Sequence, residues 1–314
     1  MSKTKYANVG GQAVMEGIMM RSPKKTVMAV RTPDKTIVTE EVKFTSVRKK
    51  YKFFALPIIR GAVAFVESLI LGFRTLSRSA ELSGLEEEAE GNKALESVML
   101  ILSFLFGILI AVGVFILLPV GIRMGISWLV DRTTNCFGYW RALIEGIIRI
   151  GIFILYVFLV SRMKEIHRLF QYHGAEHKTI FCFEAGKELT VGNAREQSRL
   201  HPRCGTSFLL ITMLVSILVY SFIPFDGILY VLLKFALLPI VGGISFEIIQ
   251  LTGRYNNLCT RIVSAPGKFM QLITTCEPDD DQLEVAIEAL KASLTDDGEN
   301  IDSDAAYKAE EDVK

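Results

Sequence analysis

The strongest constraint on this chain is unbroken apolar length. "SVMLILSFLFGILIAVGVFILLPVGI" (97–122) and "ALIEGIIRIGIFILYVFLV" (142–160) are each long enough to cross a hydrocarbon core of about 30 Å at about 1.5 Å per residue. "TSFLLITMLVSILVYSFIPF" (206–225) and "GILYVLLKFALLPIVGGISFEII" (227–249) form a second pair, joined so tightly around Pro224, Asp226 and Gly227 that they must make a helical hairpin. Four spans follow, and with half of the 314 residues hydrophobic the main solvent is lipid.

Orientation is read from Lys and Arg in the short flanks. Residues 1–55 carry 12 of them and 161–205 carry eight, so both segments are expected on the cytoplasmic side. The link "SFIPFDG" carries none, and Arg254, Arg261 and Lys268 return the C-terminal part to the cytoplasm. The first 50 residues are basic and polar with no apolar core before a small-residue site, so a cleavable signal peptide is not expected. "ALPIIRGAVAFVESLILGF" (55–73) is apolar but holds Arg60 and Glu67, seven residues apart on one helical face. If it crossed, the basic N-terminal part would be exported, so it reads as an interfacial or re-entrant helix.

The expected fold class is mainly α. It is a polytopic membrane bundle of about four spans plus that interfacial helix, carrying a small mixed α/β cytoplasmic domain. The β-rich part is 1–54, where "TVMAVRTPDKTIVTEEVKF" alternates and turns at "TPDK" as a hairpin. Residues 251–293 form a cytoplasmic segment in which "EPDDDQLEVAIEALKAS" reads as a capped helix. From Glu277 onward 14 Asp and Glu face three Lys, a balance of −11; the whole chain is +1, so residues 1–276 hold +12. The acidic end, 294–314, is expected to be disordered. The five cysteines show no framework spacing, so a disulfide scaffold is not indicated.

The chemistry concentrates in 161–205. After the second span the chain continues without proline at helical spacing, so the helix is expected to run on out of the bilayer through "YHGAEHKTI" (172–180). His173 and His177, at i and i+4, then share one face about 5–6 Å apart at Cβ, which suits two imidazoles on one zinc ion. Glu176 beside them completes H-x-x-E-H, the inverzincin order, in which a carboxylate takes a proton from a water activated by the ion. Gly174 inside this turn either weakens the helix or marks a close backbone approach. A third ligand is needed, and "RLHPRCGTSF" (199–208) offers His201 and Cys204, while Glu247 in "GGISFEII" competes as a distal carboxylate. Three donors with a water would be catalytic and four structural. The competing reading is a basic histidine-rich connector touching lipid headgroups. His167, among Arg and Lys, fits a snorkelling residue.

The stretch "NVGGQAVMEGIMMRSP" surrounds one acid, Glu16, with glycines and apolar residues. Either this strand enters the histidine site and supplies Glu16 as acid, base or ligand, or it is a strand with glycine bulges and a surface glutamate.

Five segments in order, "GGQAVMEGIMMRSP", "YHGAEHKTI", "HPRCGTSF", "GGISFEII" and "PGKFMQLITTCEPDDDQLEVAIEAL", resemble the bacterial membrane family catalogued as domain of unknown function 1385, over nearly the whole chain to about residue 292. The resemblance implies a metal-dependent enzyme with its metal at His173 and His177, and names no substrate. Cys276 stands where the family tends to have arginine. The resulting expectation is a multi-pass cell-membrane protein, both termini cytoplasmic, holding a divalent ion, most simply Zn²⁺. Its hydrolase-like reaction would act on a lipid-linked or peptide substrate. Membrane lipids are the expected partners, with a homo-oligomer left open. A metal-stapled scaffold is the alternative. Nucleic acid is not expected, because the basic residues flank spans without interleaved aromatics.

Overall fold

The computed structural model describes residues 9–84, 93–130, 140–201, 204–225, 227–254 and 257–295. Residues 296–314, most of the segment expected to be disordered, lie outside the described residues, as does Asp226 of the tight link.

The chain opens with four strands, β1 (Gly10–Val14), β2 (Gly17–Arg21), β3 (Thr26–Arg31) and β4 (Ile37–Glu41). They form an antiparallel meander in the order β1-β2-β3-β4. The "TPDK" hairpin is β3–β4, with Val30 opposite Val38. A second hairpin joins β1 to β2 through Met15 and Glu16, where Glu16 takes a left-handed φ of 48° and its carbonyl accepts the Arg31 N–H at 2.8 Å.

Alternation then sorts the sheet into two apolar faces. Ile18, Met20 and Ala29 pack with Tyr172, Ala175, Leu283 and Leu290, while Val14, Met19, Met28 and Val30 pack on Leu71. The sheet is therefore held between α2 (Ile59–Leu82) on one side and α6 (Lys164–Glu184) with α11 (Asp280–Leu294) on the other. α11 begins with a reciprocal capping box between Asp279 and Gln282, as its acidic start and apolar run predict. A four-residue helix, α1 (Val47–Lys50), leads from the sheet to α2.

The rest of the described chain is mainly helical. α3 (Lys93–Val112) continues through a π-turn, Gly113–Leu117, into α4 (Leu118–Val130). Then come α5 (Arg141–Val160), α6, the short α7 (Val191–Arg195), α8 (Gly205–Ser221), α9 (Gly227–Arg254) and α10 (Leu258–Thr274). Among the described residues three helical stretches are long and apolar enough to cross a membrane: Ile101–Leu129, Arg141–Val160 and Gly227–Thr252. α8 is equally apolar but only 17 residues long. So three of the four expected spans reach full length, and the third is a shorter helix.

Two boundaries differ from expectation. The helix expected to run on from α5 breaks at Ser161–Met163, because Met163 adopts an extended φ, ψ of −72°, 136° and restarts the chain as the N-cap of α6. α2 extends to Leu82, well past the apolar stretch. Its buried stripe Gly61, Ala64, Glu67, Leu71, Thr75 and Ser79 keeps helical spacing after the outward face turns polar. α2 joins the two bodies: Gly61 lies against Gly243 and Phe246 of α9, and Leu71 and Gly72 lie under the sheet.

Candidate metal centre

Three donors meet where α6, α8 and the end of α10 converge. On α6, His173 and His177 stack edge to face with ring centroids 4.4 Å apart. Cys204 is the N-cap of α8, its Sγ accepting the Thr206 N–H at 3.4 Å, a position whose amide donors suit an anionic sulfur. The ligand atoms of His173, His177 and Cys204 all lie within 4.8 Å of one another.

Backbone carbonyls aim the two rings. His173 Nδ1 lies 2.8 Å from the Thr274 carbonyl, and His177 Nδ1 lies 2.6 Å from the Arg199 carbonyl. A carbonyl can only accept, so each Nδ1 carries the hydrogen, and each neutral ring keeps its lone pair at Nε2. His173 Nε2 is 3.1 Å from Cys204 Sγ, and the Cys204 sulfur also faces His177. Burial pushes the His177 imidazole pKa below its usual value, against the opposing pull of Cys204.

Glycines let the backbone come this close. A Cβ on Gly174 would collide with the Cys276 carbonyl, so the break in helix propensity is the close-approach alternative. The segment after α10 thus crosses α6, pinned by Cys276 N–H donating to the Phe170 carbonyl at 2.9 Å, and this fixes the last residue of α10, Thr274, with its carbonyl at His173. A Cβ on Gly11 would meet the Met19 carbonyl at 2.7 Å and the Glu176 carboxyl carbon at 3.1 Å.

Glu176 is buried beneath β1 and accepts the Gly11 N–H; desolvation raises its pKa above the ordinary carboxylate value, with His173 pulling the other way. It lines a cavity of about 910 Å³ together with His173, His177, Cys204, Gly11 and Leu71.

The other candidates go elsewhere. His201 lines the cavity and packs on His177 with centroids 5.6 Å apart, but its Nε2 lies 3.4 Å from Glu184 Oε2, so it sits beside the donor set. Its backbone is clasped by the Gln271 side chain, which accepts the His201 N–H at 2.8 Å and donates to its carbonyl at 2.7 Å. Glu247 is not brought to the cluster; Arg60 grips it with two bonds of 2.6 and 2.5 Å. Arg60 and Glu67, expected to act from one face, therefore serve different partners, Glu67 accepting from Ser46 and Arg48. Glu16 is likewise outside the donor set, its carboxylate held by Arg168 and by the Tyr172 hydroxyl at 3.3 Å. Cys276 contributes its backbone, while its Sγ lies 3.5 Å from His167 Nδ1.

What sequence reasoning missed is Thr274, Arg199 and Gln271. The first two act through carbonyls, which carry no side-chain signature. Gln271 had one signal, a lone amide in the apolar run "KFMQLIT".

The family described as Protein of unknown function (DUF1385) matches residues 56–296. The chain is 37% identical over 312 residues to "Uncharacterized protein YqhQ" of Bacillus subtilis (strain 168), an alignment covering 94% of this chain and 95% of that relative. No solved structure matches.

Proposed function

The chain belongs to the DUF1385 family, and we propose that it is a multi-pass cell-membrane protein that uses a divalent ion, most simply zinc, to hydrolyse a substrate at the membrane surface. His173 Nε2, His177 Nε2 and Cys204 Sγ would hold the ion. The single observation behind this reading is the pair of Nδ1–H groups committed to backbone carbonyls, which turns two imidazole lone pairs toward one sulfur. A bare thiol has one proton for two acceptors; a cation satisfies both. Locking a ligand imidazole through its other nitrogen is the usual second-shell arrangement of metal sites, and an N₂S set is zinc-compatible.

Three protein donors facing a cavity favour a catalytic site over a closed structural one. An ion there supplies Lewis acidity, polarising a carbonyl and lowering the pKa of an attacking water to near 7. Glu176 would take one proton from that water as its oxygen bonds the carbonyl carbon. Glu176 would then hand the proton to the leaving atom as the old bond breaks.

In the membrane we assign four spans, α3–α4, α5, α8 and α9, with α2 and α10 at the interface among the lipids. By the basic flanks, both termini and the sheet with α6 and α11 face the cytoplasm.

Elemental analysis of the purified protein tests the reading. We expect about one zinc per chain, lost in His173→Ala and His177→Ala and retained in Glu176→Gln, which abolishes hydrolysis. Zinc lost in Glu176→Gln would make that residue a ligand, and hydrolysis surviving the change would remove Glu176 from the general-base role; zinc held by a parent protein that hydrolyses nothing would favour a metal-stapled scaffold.

A further inference from the structure

The strand beside the cavity bears on the substrate. Around the two-residue β1–β2 turn, the pairs Val14–Gly17, Gln12–Met19 and Gly10–Arg21 are those that exchange N–H and C=O bonds. Gly11 and Ala13 consequently turn their amides and carbonyls outward, and among the described residues β1 is an edge strand of the sheet. Gly11 N–H is taken by Glu176, and the Met15 N–H, next in the same outward row, by Ser79 Oγ at 3.0 Å. Between these two, the Ala13 N–H and the Gly11 and Ala13 carbonyls take no hydrogen bond among the described residues. This short open edge lines the same 910 Å³ cavity as the three donors, with Ser68 and Leu71 of α2 on one wall and Leu169 and Phe170 of α6 on the other.

We infer that the cavity takes an extended, apolar polypeptide segment, which adds to β1 as a further strand and brings one of its amides to the ion site beside Glu176. This rests on the metal reading above. Strand addition satisfies an open edge through main-chain bonds and leaves alternate side chains to the two walls. Here Leu71 on one wall and Leu169 and Phe170 on the other offer apolar contact. An anionic lipid headgroup fits less well: Arg21 is the one Lys or Arg among the described residues lining the cavity, and amide groups at strand spacing do not match a single phosphate. Hydrolysis of the amide adds the water oxygen to the carbonyl carbon, breaks the C–N bond and leaves a water proton on the departing nitrogen.

The test uses the full-length protein in detergent with its zinc content measured. The probe is a fluorescent apolar tetrapeptide hydroxamate, compared with its backbone N-methylated form and with an acyl hydroxamate of equal length. Losing edge hydrogen bonds should weaken the N-methylated probe by about tenfold or more, with the acyl probe no tighter than that. Ala13→Pro, which deletes the open N–H, should cost the parent probe a similar factor with zinc unchanged. Equal binding of parent and N-methylated probes to zinc-loaded protein overturns the strand pairing and leaves the metal reading standing. Tighter binding of the acyl probe reassigns the cavity to lipids. A dimer that Ala13→Pro dissociates gives the edge to a second copy of the chain and overturns the inference, and absence of zinc overturns both readings together.

Discussion

Two of the buried polar constellations, one in the helical bundle and one under the sheet, solve the cost of burial in opposite ways. In the bundle, Glu145 on α5 accepts from Arg123 Nε at 2.8 Å, from the Tyr230 hydroxyl at 3.0 Å and from the Lys234 ammonium. Arg149, one turn further along α5, reaches the Phe115 carbonyl in the π-turn at 2.8 Å and Ser216 Oγ at 2.9 Å. Both carboxylate oxygens and each of the three cations find a partner from within the chain. Under the sheet, the carbonyls of Thr274 and Arg199 consume one nitrogen of each ring, and the remaining lone pairs converge on a thiol at a cavity. A polar cluster that closes on itself holds helices together. One that leaves converging donors beside open space has capacity for a ligand.

The sharpest way to break this contrast is to remove charges from the bundle. Glu145→Leu strands Lys234 and Arg123 in an apolar setting, and losing one partner of a buried pair costs about 3–5 kcal/mol. We expect a steep loss of monodisperse protein and of thermal unfolding temperature in detergent. The double change Glu145→Leu with Lys234→Met should be milder than Glu145→Leu alone, because no ammonium is left without its carboxylate. A single variant that is as stable as the parent would mean that the bundle cluster is not the structural one.

A smaller effect is expected at Gly174. In Gly174→Ala the new methyl group meets the Cys276 carbonyl, and the crossing segment has to move, at about 1–3 kcal/mol for an overpacked site. The same movement draws the Thr274 carbonyl away from His173 Nδ1, and zinc affinity should fall by about 10–100-fold, the usual cost of a lost second-shell partner. Gly192→Ala, where an added Cβ meets nothing within 4 Å, is the control and should leave both readouts unchanged. Competition against a chelating dye measures the affinity, and a thermal melt of the metal-free protein isolates the packing cost.

The same contrast explains what could be read in advance. Spans and the i, i+4 histidine pair are local patterns, set by hydrophobic length and helical pitch, so they survive without knowledge of the fold. Cys204 could be named as a candidate because a thiol three residues from a histidine stands at a proline and glycine turn, with a plain buried thiol as the equal alternative. The partners of lone carboxylates were not. Glu16 and Glu247 both stand alone in apolar sequence, and each meets an arginine that lies 152 and 187 residues away in the chain. Nothing local separates an acid waiting for a metal from one waiting for a guanidinium. The carbonyls that orient the rings are less legible still, since every residue has one.

Glu247 provides the smallest and most discriminating change. Its carboxylate is bidentate with Arg60 where α2 crosses α9, both side chains a quarter to a third exposed. A pair that accessible contributes only about 0–1 kcal/mol, and glutamine keeps an oxygen for the guanidinium to bind. Glu247→Gln is therefore expected to shift the melting temperature little and to leave zinc stoichiometry at the parent value by elemental analysis. Were Glu247 a distal ligand, the same substitution would remove a charged donor and release the ion, with stability again nearly unchanged. Because the two accounts agree on stability and disagree on metal, this one variant separates a carboxylate that fastens two helices from one that serves the centre 70 residues earlier in the chain.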